Sequence, residues 1–520
     1  MTARQEGAVD RPAGRRAAPE RTLDPADWAS VRALSHRIVD DAIDHLRDVR
    51  SRPCWRPMPP EVEATFATAL PREPMPLAEV YGEVAARVMA YPMGNIHPRF
   101  WAWYMGASNY TGALADFLAA IQGSNLGGGN HAAACLDRQV VDWCKEMVGF
   151  PASASGTLVS GGSMANLIGL TVARNIHAGI DVREHGVAAI ARPLRFYGSD
   201  QMHSCHRKAV EALGLGNRAL IRIPSDEECR IDLAALRRAI ANDRTAGLEP
   251  ACIIATAGTV NTGAIDDLPA LAELAREERL WLHVDGCIGA LLAIAPENRW
   301  RVEGIERADS LALDPHKGLH APFEAGCALV RDACAHHAAF AVTPEYLEGK
   351  PRGLAAAPWL HEYGPQTSRG FRALKIWMAL KEHGVAAFGA LIDQNIAQAR
   401  HLAELVAAEP LLELVASAGL PIVCFRYRPP GLKEKALHAL NVEIMLRVQE
   451  SGIAVLSDTT VKGRHCLRVA VASHRTRSDD LDVLVEEVVR IGQSLTGAES
   501  GFAAYLRTPG NPSAEGRAVR

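Results

Sequence analysis

Between residues 101 and 384, short apolar runs alternate with segments of helical periodicity, and this alternation constrains the fold more than any other feature of the chain. Apolar strands separated by helices are typical of a mostly parallel sheet that helices cover on both faces. The sequence therefore predicts an α/β fold in this region. The predicted strands are 156–160, 194–198, 219–223, 252–256, 281–285, 311–314 and 327–330, and the predicted helices between them are 164–174, 204–213, 231–241 and 266–278.

A helical segment precedes this region. Trp28, Val31, Leu34 and Ile38 recur at steps of three and four residues, which predicts an amphipathic helix. Such a helix packs either on the core of its own chain or against a second subunit, and the sequence leaves both interpretations open. The first 22 residues lack the apolar stretch of a secretory signal, so they are predicted to form a disordered arm.

A smaller part of the chain follows the predicted sheet. It begins with a long helix, after which predicted strands at 421–427, 452–456 and 465–471 surround a helix near 435–451. This pattern indicates an α+β domain with antiparallel strands. The complete predicted organisation is a disordered arm at 1–22, a helical segment at 23–100, a large domain at 101–385, a small domain at 386–497 and a disordered tail at 498–520.

The composition excludes several classes of protein. Among 520 residues, 56 Lys and Arg against 60 Asp and Glu give a net charge of −4, so no global basic field indicates nucleic-acid binding. No apolar run approaches the roughly 18 residues that a membrane span needs. Eleven cysteines without a C-x-x-C pair favour free thiols over disulfides. We therefore expect a soluble cytoplasmic protein.

Polar patterns follow several predicted strands, which is where ligands of parallel sheets bind. The first pattern is Ser160-Gly161-Gly162-Ser163, between a strand and a helix. Its glycines allow a ligand to approach the backbone closely, and the free amide groups of a helix N-terminus attract phosphate. A tight turn with a serine cap explains the same residues equally well.

Two charged residues also follow strands. Asp285 ends a buried run, and a buried carboxylate needs a partner, which is either an arginine of the scaffold or a protonated ring nitrogen of a ligand. Lys317 follows the Asp-Pro-His triplet at 314–316. It is either an exposed loop lysine or an amine that loses its proton through burial and neighbouring positive charge, and so becomes a nucleophile.

A histidine cluster follows the predicted strand 194–198. His203, Cys205 and His206 are candidate metal ligands, but their spacing matches no standard zinc pattern. One imidazole that stacks flat on an aromatic ligand is a second interpretation, and a structural histidine is a third. Each pattern is weak alone, but their combined order matches the needs of pyridoxal 5′-phosphate (PLP), which requires a helix N-terminus, an acid at its ring nitrogen and a lysine at its aldehyde.

From about residue 23 to residue 491 the chain resembles the PLP-dependent group II amino-acid decarboxylases, the family of aromatic-amino-acid, tyrosine and glutamate decarboxylases. This resemblance implies the PLP-dependent transferase fold of type I, which is aspartate aminotransferase-like, and a homodimer with active sites at the subunit interface. The similar blocks are 97–100, 199–204, 255–259, 283–285, 308–317, 324–327, 369–375, 467–470 and 474–476.

The resemblance also implies roles for individual residues. Lys317 would hold the cofactor covalently, Asp285 would form a salt bridge to its pyridine nitrogen, and His203 would stack on its ring. The other implied cofactor contacts are Gly162 and Ser163 at the phosphate, His316 near phosphate and substrate, and Thr256 near the ring.

The chain departs from the family at several positions. Gly318 stands where many relatives have Trp, and Gly370 stands where many have Arg. Relatives also carry a loop tyrosine that protonates the substrate carbon after CO2 leaves, and Leu360 aligns with it here. His361 or Tyr363 is the predicted replacement. Relatives with Phe at this position form aldehydes by oxidative deamination, so that outcome stays open.

The sequence therefore predicts an enzyme that decarboxylates an L-amino acid to the primary amine and CO2, without a metal. The rings of Phe100, Trp101, Trp103 and Tyr104 favour an aromatic or large apolar substrate, although these rings are equally consistent with core packing. Alternatives are an acidic or small aliphatic substrate, an aminotransferase or aldehyde-forming enzyme, a non-catalytic cofactor-binding protein, and a metal-dependent hydrolase. We expect no nucleic-acid or membrane partner.

Overall fold

The computed structural model of the chain describes residues 21–342, 345, 349–356, 359–417 and 419–497. The predicted sheet is present and has seven strands in the order β1-β7-β6-β5-β4-β2-β3. Six strands run in the same direction, and β7, which lies between β1 and β6, runs in the opposite direction. The strands are β1 (Ser155–Val159), β2 (Leu194–Ser199), β3 (Leu220–Ile223), β4 (Glu249–Thr256), β5 (Trp281–Asp285), β6 (Ser310–Leu313) and β7 (Gly326–Val330).

Helices cover both faces of this sheet, as predicted. Successive residues of β4 show this: Ile253 belongs to one hydrophobic cluster, and Ile254, whose side chain points to the opposite face, belongs to another. The helices up to the end of the large sheet are α1 (Trp28–Arg47), α2 (Pro60–Glu63), α3 (Leu77–Glu83), α4 (Tyr110–Gln122), α5 (Ala132–Met147), α6 (Gly162–His177), α7 (Val182–His185), α8 (Cys205–Ala212), α9 (Leu233–Thr245), α10 (Leu268–Glu278), α11 (Pro315–Gly318) and α12 (Ala333–Phe340).

A second, four-stranded antiparallel sheet has the order β10-β11-β9-β8. Its hydrophobic cluster packs separately from those of the large sheet. Together the two sheets are consistent with the fold of type I that the resemblance implies. The remaining elements are α13 (Ala373–His383), α14 (Val385–Ala408), β8 (Leu412–Ser417), β9 (Ile422–Tyr427), α15 (Glu434–Glu450), β10 (Ser457–Val461), β11 (Arg464–Ala470) and α16 (Ser478–Thr496).

The strand predicted at 452–456 is wrong. This segment is a connection that begins at Gly452, which has a φ of +72°, and it forms only an isolated bridge between Val455 and Phe100. The strand lies immediately after it, at β10, and β8 was also not predicted. Both strands contain polar residues, so they lack the apolar run on which the other strand predictions depend.

The N-terminal helix α1 does not pack into the core. Asp27 caps it by accepting hydrogen bonds from the backbone N–H groups of Ala29 and Ser30. None of its residues is buried, and Trp28 and Ile43 remain exposed. The interpretation of this segment as a core-packing helix is therefore wrong for α1.

Some predictions fall at the ends of the chain. The arm predicted at 1–22 lies outside the described residues except for positions 21 and 22, and the predicted tail 498–520 lies wholly outside them. The predicted domain limits remain predictions. Within the described ranges, no helix is both long enough and apolar enough to cross a membrane.

Candidate active site

A cavity of about 600 Å³ opens where β1, β2, β4, β5 and β6 reach their carboxyl ends. This is the edge at which ligands of parallel sheets bind. The structure brings seven of the predicted site residues together in its lining: Gly162, Ser163, His203, Thr256, Asp285, His316 and Lys317.

Lys317 reaches the cavity from α11, a single helical turn that directly follows β6. Its Nζ atom lies 3.0 Å from Oδ2 of Asp314, the residue that precedes this turn. Burial acts to lower the pKa of Lys317, but the Asp314 carboxylate, and more weakly Asp285, outweigh it, so the pKa is raised. Of the two sequence-based interpretations, the one that lowers the pKa assumed positive neighbours, whereas the neighbours of this amine are negative.

Asp285 ends β5 with its carboxylate buried. Its Oδ2 lies 2.9 Å from Nε2 of His206, and its Oδ1 accepts a hydrogen bond of 3.2 Å from the backbone N–H of Cys287. Burial acts to raise the pKa of Asp285, but these hydrogen bonds and the nearby Lys317 charge hold it well below its usual range. The partner is thus a histidine rather than the arginine that sequence reasoning considered.

His203 lies at the start of the turn that leads into α8, and its ring is accessible from the cavity. Its Nδ1 accepts a hydrogen bond of 3.1 Å from the backbone N–H of Cys205. Burial lowers the pKa of His203, so the imidazole is neutral at pH 7 and carries its proton on Nε2. A neutral ring held in this way can stack on a planar ligand.

The N-terminus of α6 forms one wall of the cavity, at Gly162 and Ser163. No side chain in the described part of the chain caps this helix, so its first backbone N–H groups can receive an anion. A Cβ atom at Gly162 would lie 2.2 Å from Sγ of Cys287, and one at Gly161 would lie 3.3 Å from Cε1 of His316. The close approach of these groups explains why glycine is needed at 162.

His316 lies beside this wall, and its buried ring packs on Phe323 with ring centroids 4.6 Å apart. Its Nδ1 is 2.6 Å from the carbonyl oxygen of Ala325, to which it donates, and its Nε2 is 3.7 Å from Oδ2 of Asp314. Burial lowers the pKa of His316. A neutral imidazole with Nδ1 as donor leaves Nε2 unprotonated, so this atom makes no hydrogen bond to the Asp314 carboxylate and can accept one from a ligand in the cavity.

Several buried polar atoms around the cavity have no hydrogen-bond partner among the described residues, namely Oγ1 of Thr256, Oδ1 of Asp314 and Nδ1 of His206. Buried polar groups normally have partners, so unpaired ones beside a cavity indicate a polar ligand. A free helix N-terminus, an ionised acid at a strand end, a neutral histidine and a lysine are the groups that PLP needs. The donor set therefore fits this cofactor.

His361 and Tyr363 do not line the cavity of their own chain. His361 is buried, and its Nδ1 donates to the carbonyl oxygen of Gly127 at 3.0 Å. The ring of Tyr363 packs on His336 and His337, with centroids 5.2 and 5.5 Å away. Of the predicted loop 347–364, residues 347–348 and 357–358 lie outside the described residues.

The candidate metal ligands His203, Cys205 and His206 do not come together as one group among the described residues. Ligand atoms of Cys205, His206 and Asp285 do lie within 4.8 Å of one another. However, burial raises the pKa of Cys205 to about 12, which disfavours the thiolate that a metal binds. His206 already bonds to Asp285, so the group is better suited to holding that carboxylate in place than to coordinating zinc.

Comparison with known proteins agrees with this donor set. A family model described as the pyridoxal-dependent decarboxylase conserved domain matches residues 59–428. An aromatic-L-amino-acid decarboxylase of Bacillus atrophaeus is 34% identical over 475 residues, which cover 90% of this chain and 96% of that protein. A phenylacetaldehyde synthase of Petunia hybrida is 28% identical over 479 residues, which cover 89% of this chain and 93% of that protein.

Solved structures have the same fold. The crystal structure of Oryza sativa TDC with PLP and tryptamine has a TM-score of 0.84 and 27% sequence identity, and the match covers 91% of this chain and 99% of that chain. The family model spans more than half of the chain, and the Bacillus protein matches nearly all of it. The chain therefore belongs to the pyridoxal-dependent decarboxylases and is a PLP-dependent amino-acid carboxy-lyase.

Proposed function

We propose that the protein decarboxylates an aromatic L-amino acid to the corresponding primary amine and CO2. The observation that carries this proposal is that Lys317 and Asp285 lie in one cavity, each next to a partner that fixes its charge. Phe323, Ile288 and Val260 give the cavity an apolar part that suits an aromatic side chain. The similarity to an aromatic-L-amino-acid decarboxylase supports the same substrate class.

Two residues would prepare the site for chemistry. When PLP is bound, it supplies an electron sink for the pair that the departing carboxylate leaves on Cα. Asp285 remains ionised because His206 and the backbone N–H of Cys287 hydrogen-bond to it, so it would hold a proton on the ring nitrogen. Asp314, 3.0 Å from Nζ of Lys317, would accept the proton that this amine must lose before it becomes a nucleophile.

Other residues would position the cofactor. The free N–H groups at the start of α6, with the Ser163 hydroxyl, would bind the phosphate. His203 is neutral and fixed through Nδ1, so its ring would lie flat against the pyridine ring. Thr256 is opposite Asp285 in the β4–β5 register, and its unpaired hydroxyl would contact the same ring.

The proton that replaces CO2 on Cα would come from His361 or Tyr363. Neither lines the cavity of its own chain, so we propose that they act across the interface of a homodimer. Exposed apolar side chains on α1 and α4 support a second subunit, and they include Trp28, Ile43, Phe117 and Ile121. Light scattering coupled to gel filtration should give twice the mass of the chain, and a monomer at micromolar concentration would contradict the dimer.

We also infer a cytoplasmic location. All eleven cysteines are free thiols, and nine of them are buried. Thiols persist in reducing compartments, whereas exported proteins tend to form disulfides.

A second candidate product is the aldehyde. It is favoured by Leu360, which is aligned with the loop tyrosine of relatives, and by the similarity to a phenylacetaldehyde synthase. The two outcomes leave different products, because the oxidative route consumes oxygen and releases ammonia and peroxide with the aldehyde.

Product analysis tests the proposal. The purified protein with PLP should be incubated with each standard L-amino acid, and the products identified by mass spectrometry. We expect CO2 with the amine of tryptophan, tyrosine or phenylalanine. Turnover confined to acidic or small aliphatic amino acids would contradict the proposed substrate class, and aldehyde with peroxide would favour the second candidate.

A further inference from the structure

The rim of the cavity carries a carboxylate that the reaction does not use. Glu324 lines the cavity beside Phe323, and 52% of its side chain is exposed. Arg372 lies behind it, with only 10% of its side chain exposed. The Nε and Nη2 atoms of Arg372 lie 3.1 and 2.6 Å from the same oxygen, Oε1 of Glu324.

This arrangement places the Glu324 carboxylate, and not the Arg372 guanidinium, at the surface of the cavity. Arg372 does not line the cavity, and its third bond, from Nη1 to Oε1 of Gln366 at 3.3 Å, holds it in place. A side chain that enters the cavity therefore meets the Glu324 carboxylate, while the guanidinium charge is neutralised behind it.

The other charged groups of the cavity also offer no free cation to a second carboxylate of a substrate. Lys317 is paired with Asp314, and Asp285 adds another negative charge. A substrate with a second carboxylate would thus meet repulsion at the rim and find no unpaired cation among the described lining residues. Repulsion between charges is strong where water is partly excluded. A neutral aromatic side chain meets no such repulsion and contacts Phe323.

We propose that Glu324, held by Arg372, is a specificity-determining residue that makes the site reject amino acids with acidic side chains. This inference rests on the proposed function, since it assigns selectivity to the same site. Glu324 touches neither Lys317 nor Asp285 by any hydrogen bond in the described part of the chain, so its role is separable from the chemistry.

The substitution Glu324→Gln tests the proposal, because it removes the carboxylate and leaves Arg372 beside a neutral amide. We expect kcat/KM for L-glutamate and L-aspartate to rise about tenfold or more, and kcat/KM for aromatic substrates to change much less. Calorimetry on the holoenzyme gives a readout independent of turnover. Glutarate should bind the variant at least about tenfold more tightly than the wild type, and 3-phenylpropionate should bind both similarly.

Two further variants serve as controls. Glu324→Asp keeps the charge and should still reject glutarate. Glu249→Gln removes a carboxylate that Arg192 pairs at 3.2 Å, but at the start of β4, at the opposite end of the strands from the cavity, and should leave both ligands unaffected. If Glu324→Gln folds, turns over aromatic substrates and binds glutarate no better than the wild type, the inference is wrong while the proposed function stands. If the wild type prefers glutamate to aromatic substrates, both the inference and the proposed function are wrong.

Discussion

Nε2 of His206 lies 2.9 Å from Oδ2 of Asp285, and both side chains are buried at the end of β5. The two residues are 79 positions apart in the sequence. Because the bond favours the ionised carboxylate, the depressed pKa of Asp285 keeps its charge complete at neutral pH, and this charge is lost only when the pH falls well below the usual range of an aspartate. Asp285 thus presents an ionised carboxylate to the cavity.

Asp285→Asn removes this charge while it keeps the shape of the side chain. We expect kcat to fall by at least about a hundredfold, because the group that would hold the ring-nitrogen proton is gone. PLP should still bind, which its absorbance reports. The matched variant Asp243→Asn, at a carboxylate that bonds to Tyr197 away from the cavity, should keep normal turnover. Nearly intact activity in Asp285→Asn would refute the role of this residue.

Asp314→Asn removes the carboxylate that raises the pKa of Lys317. The amine should then lose its proton at lower pH, since burial, which lowers the pKa, is no longer opposed by its nearest negative group. The rate at which the apoprotein captures PLP, measured against pH, should show its midpoint shifted downward. An unchanged midpoint, or an upward shift, would contradict the assigned pairing.

Gly162→Ala places a methyl group 2.2 Å from Sγ of Cys287 at the start of α6. We expect weaker PLP binding and a loss of about 1–3 kcal/mol in the free energy of unfolding, as overpacking typically produces. Thermal unfolding and cofactor titration measure the two effects. Gly370→Ala is the control, because a Cβ atom there meets no atom of the described residues within 4 Å. Equal behaviour of the two variants would show that the glycine at 162 is not constrained.

Tyr363→Phe tests the proposed proton donor. Loss of its hydroxyl should slow amine formation or raise the proportion of aldehyde, because the carbanion would then be protonated more slowly. Chromatography of the products gives the ratio. If the ratio stays as in the wild type, Tyr363 is not the donor, and the same assay on His361→Gln then examines the remaining candidate.

The predicted and observed structures agree best where the sequence is apolar. Runs such as 281–285 have no solvent-facing side, so burial alone identifies them as strands of a covered sheet. The edge strand β10 reads Ser-Asp-Thr-Thr-Val and was missed, because its partner strand rather than its own hydrophobicity determines its conformation. The cavity residues were also predictable, because they follow predicted strands and the carboxyl ends of parallel strands meet at one edge of the sheet.

The pairings inside the cavity were harder to predict. Asp314 and Lys317 are three residues apart on one turn, so a search for that spacing would have found them. The contact between Arg372 and Glu324 joins distant parts of the chain and carries no local signal. The proton donor could not be placed either, because neither His361 nor Tyr363 lines the cavity of its own chain.

The central claim is that Lys317 holds PLP in the cavity that Asp285 also lines. The most direct test is to reduce the holoprotein with borohydride, digest it and locate the cofactor by mass spectrometry, with the variant Lys317→Ala as the comparison. We predict one pyridoxyl adduct, on Lys317, and none in the variant, which should also lose the visible absorbance of bound cofactor. An adduct on another lysine, or the same absorbance and turnover in Lys317→Ala, would contradict the claim.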